Sequence, residues 1–332
     1  MKKHKLILLF GMPRSGTTWI GKIFDSHPDT LYLHEPDSVV PDYELPLLLS
    51  SSASPEVQSR VKKLISRWLE VNSEKVIASR PFFEKSYLGP IQWQIFKWSA
   101  FACKAWARIF GKTRFNPIKL SSSQAEPIVV WKSIESLGRI GAFSEASSAK
   151  AIQLIRHPCG TIASTFKGES GGQFDGSIAI SEDWDLFSKL LNQSNNKEFS
   201  LDDIKRMKQE EKLAMRWGLI NDFALTQIQQ KNGRVVKYED VCRSPLAEIN
   251  NLFKWAGLGM SKQTEQFIKE STSNHDDAYY STKKDPLFSA YRWKEKLSEE
   301  QIVNIKAIIM QFESGQLYKD DFHLDNKNPA TR

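Results

Sequence analysis

Cysteine is scarce. The three in 332 residues, Cys103, Cys159 and Cys242, are too scattered for a disulfide framework and lack the C-x-x-C spacing of a zinc or redox centre. Such a count suits a reducing compartment, so a cytoplasmic location is expected. Long apolar runs are also missing. Leu6 to Phe10 follows a basic start, but it is too short for the apolar segment of a signal peptide and is cut off by Gly11-Met12-Pro13-Arg14. It is expected to be a buried strand. Nothing reaches the ~18 apolar residues of a membrane span. With 17 glycines, 14 prolines and 40% hydrophobic residues, the chain is neither low-complexity nor disordered. Acidic residues are absent from Lys85 to Ala125, where Lys85, Lys97, Lys104, Arg108, Lys112, Arg114 and Lys119 supply as much charge as the whole net excess of +7. The rest is balanced, which predicts a local anionic partner and no nucleic acid.

What is present is an alternation of short apolar runs with helical patterns. Leu6 to Phe10, Leu31 to Leu33, Ile128 to Trp131, Ala151 to Ile155 and Val235 to Val236 read as strands, and the order predicts an α/β domain with a central parallel sheet covered by helices on both faces. Ser54-Pro55 and Ser244-Pro245 open helices, and Ser298 with Gln301 forms a capping box before Ile302, Ile305 and Ile309. One domain is expected over 1–325, with 40–125 a largely helical acceptor-side insertion and 326–332 an unstructured tail. The glycine-dense stretch Gly168 to Gly176 reads as a surface loop or, more pointedly, as a lid.

The strongest local signal is Phe10-Gly11-Met12-Pro13-Arg14-Ser15-Gly16-Thr17-Thr18-Trp19. An apolar strand enters a tight loop that opens a helix, so backbone N–H groups and the positive end of the helix dipole converge where an anion can sit. The outline matches a Walker A loop except that Thr17 replaces the lysine. Without that lysine, and with no apolar run ending in a Walker B aspartate, a small-molecule kinase with an atypical loop is the second reading. Arg14 brings the cation early and suits a single phosphate with a bridging oxygen.

In an open parallel sheet, ligands bind at the carboxyl ends of the strands. Glu35, Lys132, Arg156 and Tyr238-Glu239-Asp240 each follow an apolar run. Glu35 suits proton abstraction from a hydroxyl. His34 competes for that role, although strand alternation places it on the opposite face from Glu35. Arg156, with Ser164 two turns into the next helix, suits a second phosphate. His157 has no partner at metal spacing, and no metal is expected.

Together these residues resemble the sulfotransferases that use 3′-phosphoadenosine 5′-phosphosulfate, the carbohydrate sulfotransferases above all. Pro13-Arg14-Ser15-Gly16-Thr17-Thr18-Trp19 is similar to their 5′-phosphosulfate loop. Leu154-Ile155-Arg156-His157-Pro158 through Ser164 is similar to their 3′-phosphate motif, with His157 in place of the commoner Asp. Phe24 to Pro28 through Tyr32 to Pro36, Lys237 to Asp240, and Tyr291-Arg292-Trp293-Lys294 complete the set. The resemblance implies a P-loop-like three-layer fold and sulfuryl transfer to a hydroxyl of a saccharide or glycolipid. It assigns Arg14, Ser15, Gly16, Thr17, Thr18, Trp19, Arg156, Ser164, Tyr238, Arg292, Trp293 and Lys294 to the donor, and Glu35 with Arg14 to catalysis. His34, Lys132, Lys104 and Arg108 are acceptor-side candidates.

Read as a helix, 91–112 gathers Lys97, Lys104, Arg108 and Lys112 into one stripe ~80° wide. Phe96, Trp98, Ala102, Trp106, Ile109 and Phe110 spread around the rest, which predicts partial burial with the stripe lining an acceptor approach. Peripheral membrane contact through this helix is the rival reading, and a basic membrane- or anion-binding module is the non-enzymatic alternative for the whole chain.

Overall fold

The computed structural model describes residues 5–111, 116–117, 126–170, 179–194, 198–229, 233–273 and 286–322. Five strands form where the five apolar runs predict them: β1 (Leu6–Gly11), β2 (Thr30–His34), β3 (Ile128–Ser133), β4 (Lys150–Ile155) and β5 (Gly233–Lys237). All neighbours pair in parallel, in the order β2-β3-β1-β4-β5. Every carboxyl end therefore lies along one edge, with the end of β1 in the middle. Alternation along β1 feeds two cores. Leu6, Leu8 and Phe10 enter one with Trp131 and Phe143, while Ile7 and Leu9 enter the other with Ile20, Phe24 and Val130. A strand buried on both faces has no polar face to show, which is why its sequence reads as a continuous apolar run.

The helices follow their start signals. Ser54 Oγ accepts from Val57 N at 3.5 Å to open Pro55–Leu69, and Ser298 and Gln301 cap each other at 3.0 and 3.2 Å to open Glu299–Ile309. Pro55–Leu69 sends Val61, Ile65 and Trp68 into the same core as β1 and β3. The Trp68 ring lies 5.4 Å from Trp131 and 5.6 Å from Phe143. Through this helix the region between β2 and β3 joins the central core, and loss of the Trp68 side chain would cost about 3–5 kcal/mol.

Helix Pro90–Phe110 behaves differently. Only Trp93, Ala100 and Cys103 are buried, while Ile91, Ile95, Trp98, Ile109 and Phe110 are exposed. Apolar residues around the whole wheel here mean one buried and one exposed apolar face. No helix among the described residues is long and apolar enough to cross a membrane. Lys112, residues 171–176 of the proposed lid and the tail (326–332) lie outside the described residues.

Candidate active site

The loop after β1 turns tightly because two of its residues adopt left-handed backbone, Arg14 at φ 71° and Gly16 at φ 90°. Gly16 has a second reason to lack a side chain: a Cβ there would run into the Tyr238 ring. Ser15 Oγ donates to Met12 O at 2.7 Å and closes the turn. Helix Thr17–Asp25 starts with no side-chain cap and no acidic residue in its first turn. Its N-terminal N–H groups and dipole are therefore set to receive an anion. Thr17 is buried and Thr18 exposed at that start. Trp19 is buried and donates from Nε1 to Ser271 Oγ at 3.1 Å, so it anchors the helix from behind.

On the β4 side, Arg156 braces the loop. Its Nη1 donates to Arg14 O at 2.8 Å and its Nη2 to Ser289 O at 2.6 Å, with the guanidinium 5.0 Å from the centre of the Tyr238 ring. Its buried Nε has no partner among the described residues, and an unanswered buried guanidinium N–H fits a ligand oxygen. Arg14 Nε donates to Ser164 Oγ at 2.9 Å, so the loop cation and the hydroxyl of helix Pro158–Ser170 meet.

Trp293 lies deeper than a ligand-facing residue would. It is 2% exposed and stacks on His157 at 4.5 Å with planes 6° apart, backing the end of β4. Arg292 rests 5.5 Å from the Phe288 ring, and Lys294 5.7 Å from Trp293. Burial and the neighbouring charges of Lys237 and Arg156 push the His157 imidazolium well below its ordinary range. It is a neutral packing residue.

On the β2 side, Glu35 leaves the strand at φ 50°. Its backbone N donates to Lys132 O at 2.8 Å, and Lys132 Nζ donates to its Oε1. This left-handed turn breaks the alternation expected between His34 and Glu35. His34 Nε2 lies 4.0 Å from Glu35 Oε1, so the two face one space. Tyr32 OH and His34 Nδ1 share a hydrogen bond of 2.9 Å. Burial, then Lys132, Lys22 and Lys104, bring His34 down to about 3, so at neutral pH it carries no charge. Lys132, 2% exposed, is lowered by burial against the pull of Glu35. Lys104 is half-buried and near enough to act on His34, whereas Arg108 is exposed.

Sequence reasoning missed what holds these groups. Asp37, two residues past Glu35, accepts from Trp131 Nε1 at 3.2 Å, Ser133 Oγ at 2.5 Å and Ser136 Oγ at 2.6 Å, tying the end of β2 to that of β3. Glu239, which the sequence placed at a strand end facing the loop, instead accepts from His157 N at 2.9 Å and Tyr318 OH at 3.1 Å, tying β5 to β4. An acidic residue just after a strand end was the available signal. Only β3 separates β2 from β1, so the backbones of those two strands run about two strand spacings, ~10 Å, apart.

A family model described as the sulfotransferase family matches residues 7–262. Carbohydrate sulfotransferase 5 of Mus musculus is 22% identical over 326 residues, covering 91% of this chain and 78% of that protein. Carbohydrate sulfotransferase 1 of Danio rerio is 23% identical over 333 residues, covering 89% and 73%. Among solved structures, the mouse sulfotransferase SULT7A1 complexed with PAP is similar at 11% identity and a TM-score of 0.41, covering 96% of this chain and 90% of that one. The family match spans all five strand ends, with Arg14, Glu35, Arg156 and Tyr238 among them, and the chain belongs to the sulfotransferase family.

Proposed function

We propose that this edge of the sheet moves a sulfuryl group from 3′-phosphoadenosine 5′-phosphosulfate to a hydroxyl of a saccharide or glycolipid. The observation that carries the reading is the pairing of an uncapped, cation-bearing loop at β1 with a carboxylate turned toward the same edge at β2. Arg14 and the first turn of Thr17–Asp25 would hold the 5′-phosphosulfate, and Arg156 with Ser164 the 3′-phosphate. The acceptor oxygen forms its bond to sulfur as the bond from sulfur to the 5′-phosphate oxygen breaks. Glu35 takes the hydroxyl proton, and the electron pair stays on the departing phosphate, where Arg14 and the helix dipole offset its charge. Lys132 orients Glu35. The saccharide acceptor is supported by the names of the relatives, and the cytoplasmic setting by three buried, unbridged thiols.

The test is a screen with radiolabelled sulfate donor against saccharides, glycolipids and phenols, alongside calorimetry with adenosine 3′,5′-bisphosphate and with Mg-ATP. Tight bisphosphate binding and label transfer to a glycan hydroxyl are expected. Preference for Mg-ATP would replace the reading with phosphoryl transfer.

A further inference from the structure

Helix Pro90–Phe110 carries a surface that sulfuryl transfer does not use. Ile91, Ile95, Trp98, Ala102, Ala105 and Ile109 recur at spacings of four, three, four, three and four, which at ~100° per residue places them within ~80° of the wheel, along ~27 Å of helix. All six are exposed, Ile91 at 77%, Trp98 at 68% and Ile109 at 73%. Of the ten large hydrophobic residues exposed among the described residues, five stand on this one helix. Such concentration marks an interaction surface. The face lies opposite the one that packs on the body through Trp93, Ala100 and Cys103.

Charge decides the occupant. The helix contains no acidic residue, and Lys97 and Arg108 stand ~100–120° round from the middle of the apolar stripe, with half-buried Lys104 nearer the packed face. Two copies joined along the stripe would bring basic flanks together with no carboxylate on either helix to answer them, which disfavours self-association. Anionic headgroups complement the same flank, while isoleucine and tryptophan suit the boundary between headgroups and acyl chains.

We infer that Pro90–Phe110 is an interfacial helix that docks the protein on an anionic lipid bilayer through its Ile91-Trp98-Ile109 face.

The test uses the full chain and vesicles, with no enzymatic readout. Co-sedimentation should be weak on phosphatidylcholine and strong on phosphatidylcholine with phosphatidylserine. Ile91→Ser, Trp98→Ser and Ile109→Ser combined should reduce binding at least about tenfold, with circular dichroism and melting unchanged because all three positions are exposed. Brominated lipids should quench tryptophan fluorescence, and Trp98→Phe should remove most of that quenching. Equal sedimentation of the triple variant, or none of the native chain on anionic vesicles, would overturn the inference. A native dimer by light scattering that the triple variant dissolves, without lipid binding, would reassign the face to a second copy. Failure here leaves sulfuryl transfer in solution untouched, and failure of transfer leaves the vesicle result standing.

Discussion

Glu35 and Lys132 are unequal partners. Lys132 is 2% exposed while the Glu35 side chain keeps 18%, so removing the acid strands a buried ammonium, whereas removing the base leaves a carboxylate that reaches water. Glu35→Gln should lower turnover by ~10² to 10⁴ with bisphosphate affinity nearly intact, and should cost about 1–3 kcal/mol of stability through the unpaired charge. Adding Lys132→Met should restore the urea midpoint and not the turnover. If both return together, Glu35 is only a structural counter-ion. His34 makes a second residue-level prediction. Its folded value of about 3 lies below the unfolded value of about 6.5, so only the unfolded chain takes up its proton between those limits. Stability is then complete above pH 6.5 and is lost as pH falls, by up to about 1.4 kcal/mol per unit for each such histidine. His157 adds to the same slope. Melting curves from pH 7.5 downward should be shallower for His34→Gln than for the native chain. The sequence named both histidines and Glu35. It could not show that Glu35 leaves the strand left-handed, because that turn is selected by Lys132 and by Asp37, both held from β3, nearly a hundred residues away.

At the scale of elements, the loop between β1 and its helix is fixed from three sides: Tyr238 beneath Gly16, Arg156 on the Arg14 carbonyl, and Ser164 on the Arg14 guanidinium. Gly16→Ala should deform it, since its φ of 90° is costly for alanine and the new methyl would meet the Tyr238 ring. The expected loss is about 1–3 kcal/mol in stability, together with most bisphosphate affinity by calorimetry. Arg156→Ala should weaken bisphosphate binding by roughly 2–5 kcal/mol while lowering turnover at saturating donor much less. Unchanged affinity would make Arg156 a brace alone. Strands and helix starts were legible here because they are local: an apolar run, a Ser-Pro step, a Ser-x-x-Gln box. The bracing was not, as Tyr238 and Arg156 reach the loop from far along the chain. Nor could periodicity tell that helix Pro90–Phe110 buries one apolar face and exposes another, because both look alike on a wheel.

For the whole molecule, one core runs from Leu6 to Phe322. The C-terminal segment completes it: Tyr318 and Phe322 pack on His157 at 5.1 and 4.6 Å, and Lys237 Nζ donates to Asp321 Oδ2 at 2.8 Å. Thermal unfolding should therefore show one transition by far-ultraviolet dichroism and by fluorescence, moved upward by adenosine 3′,5′-bisphosphate. A chain ending at Met310 should lose both that transition and bisphosphate binding. Two separated transitions would show that 40–111 folds by itself. The order β2-β3-β1-β4-β5 has a consequence for ancestry and engineering. On the proposed reading, everything that grips the nucleotide beyond the central loop lies on the β4-β5 wing, and everything that meets the acceptor lies on the β2-β3 wing, encoded mostly by one uninterrupted stretch from Thr30 to Ser133. A lineage can therefore rewrite that stretch to reach new acceptors while inheriting its donor chemistry unaltered, and recombination at the start of β2 and the end of β3 is the natural cut for a library of chimeras.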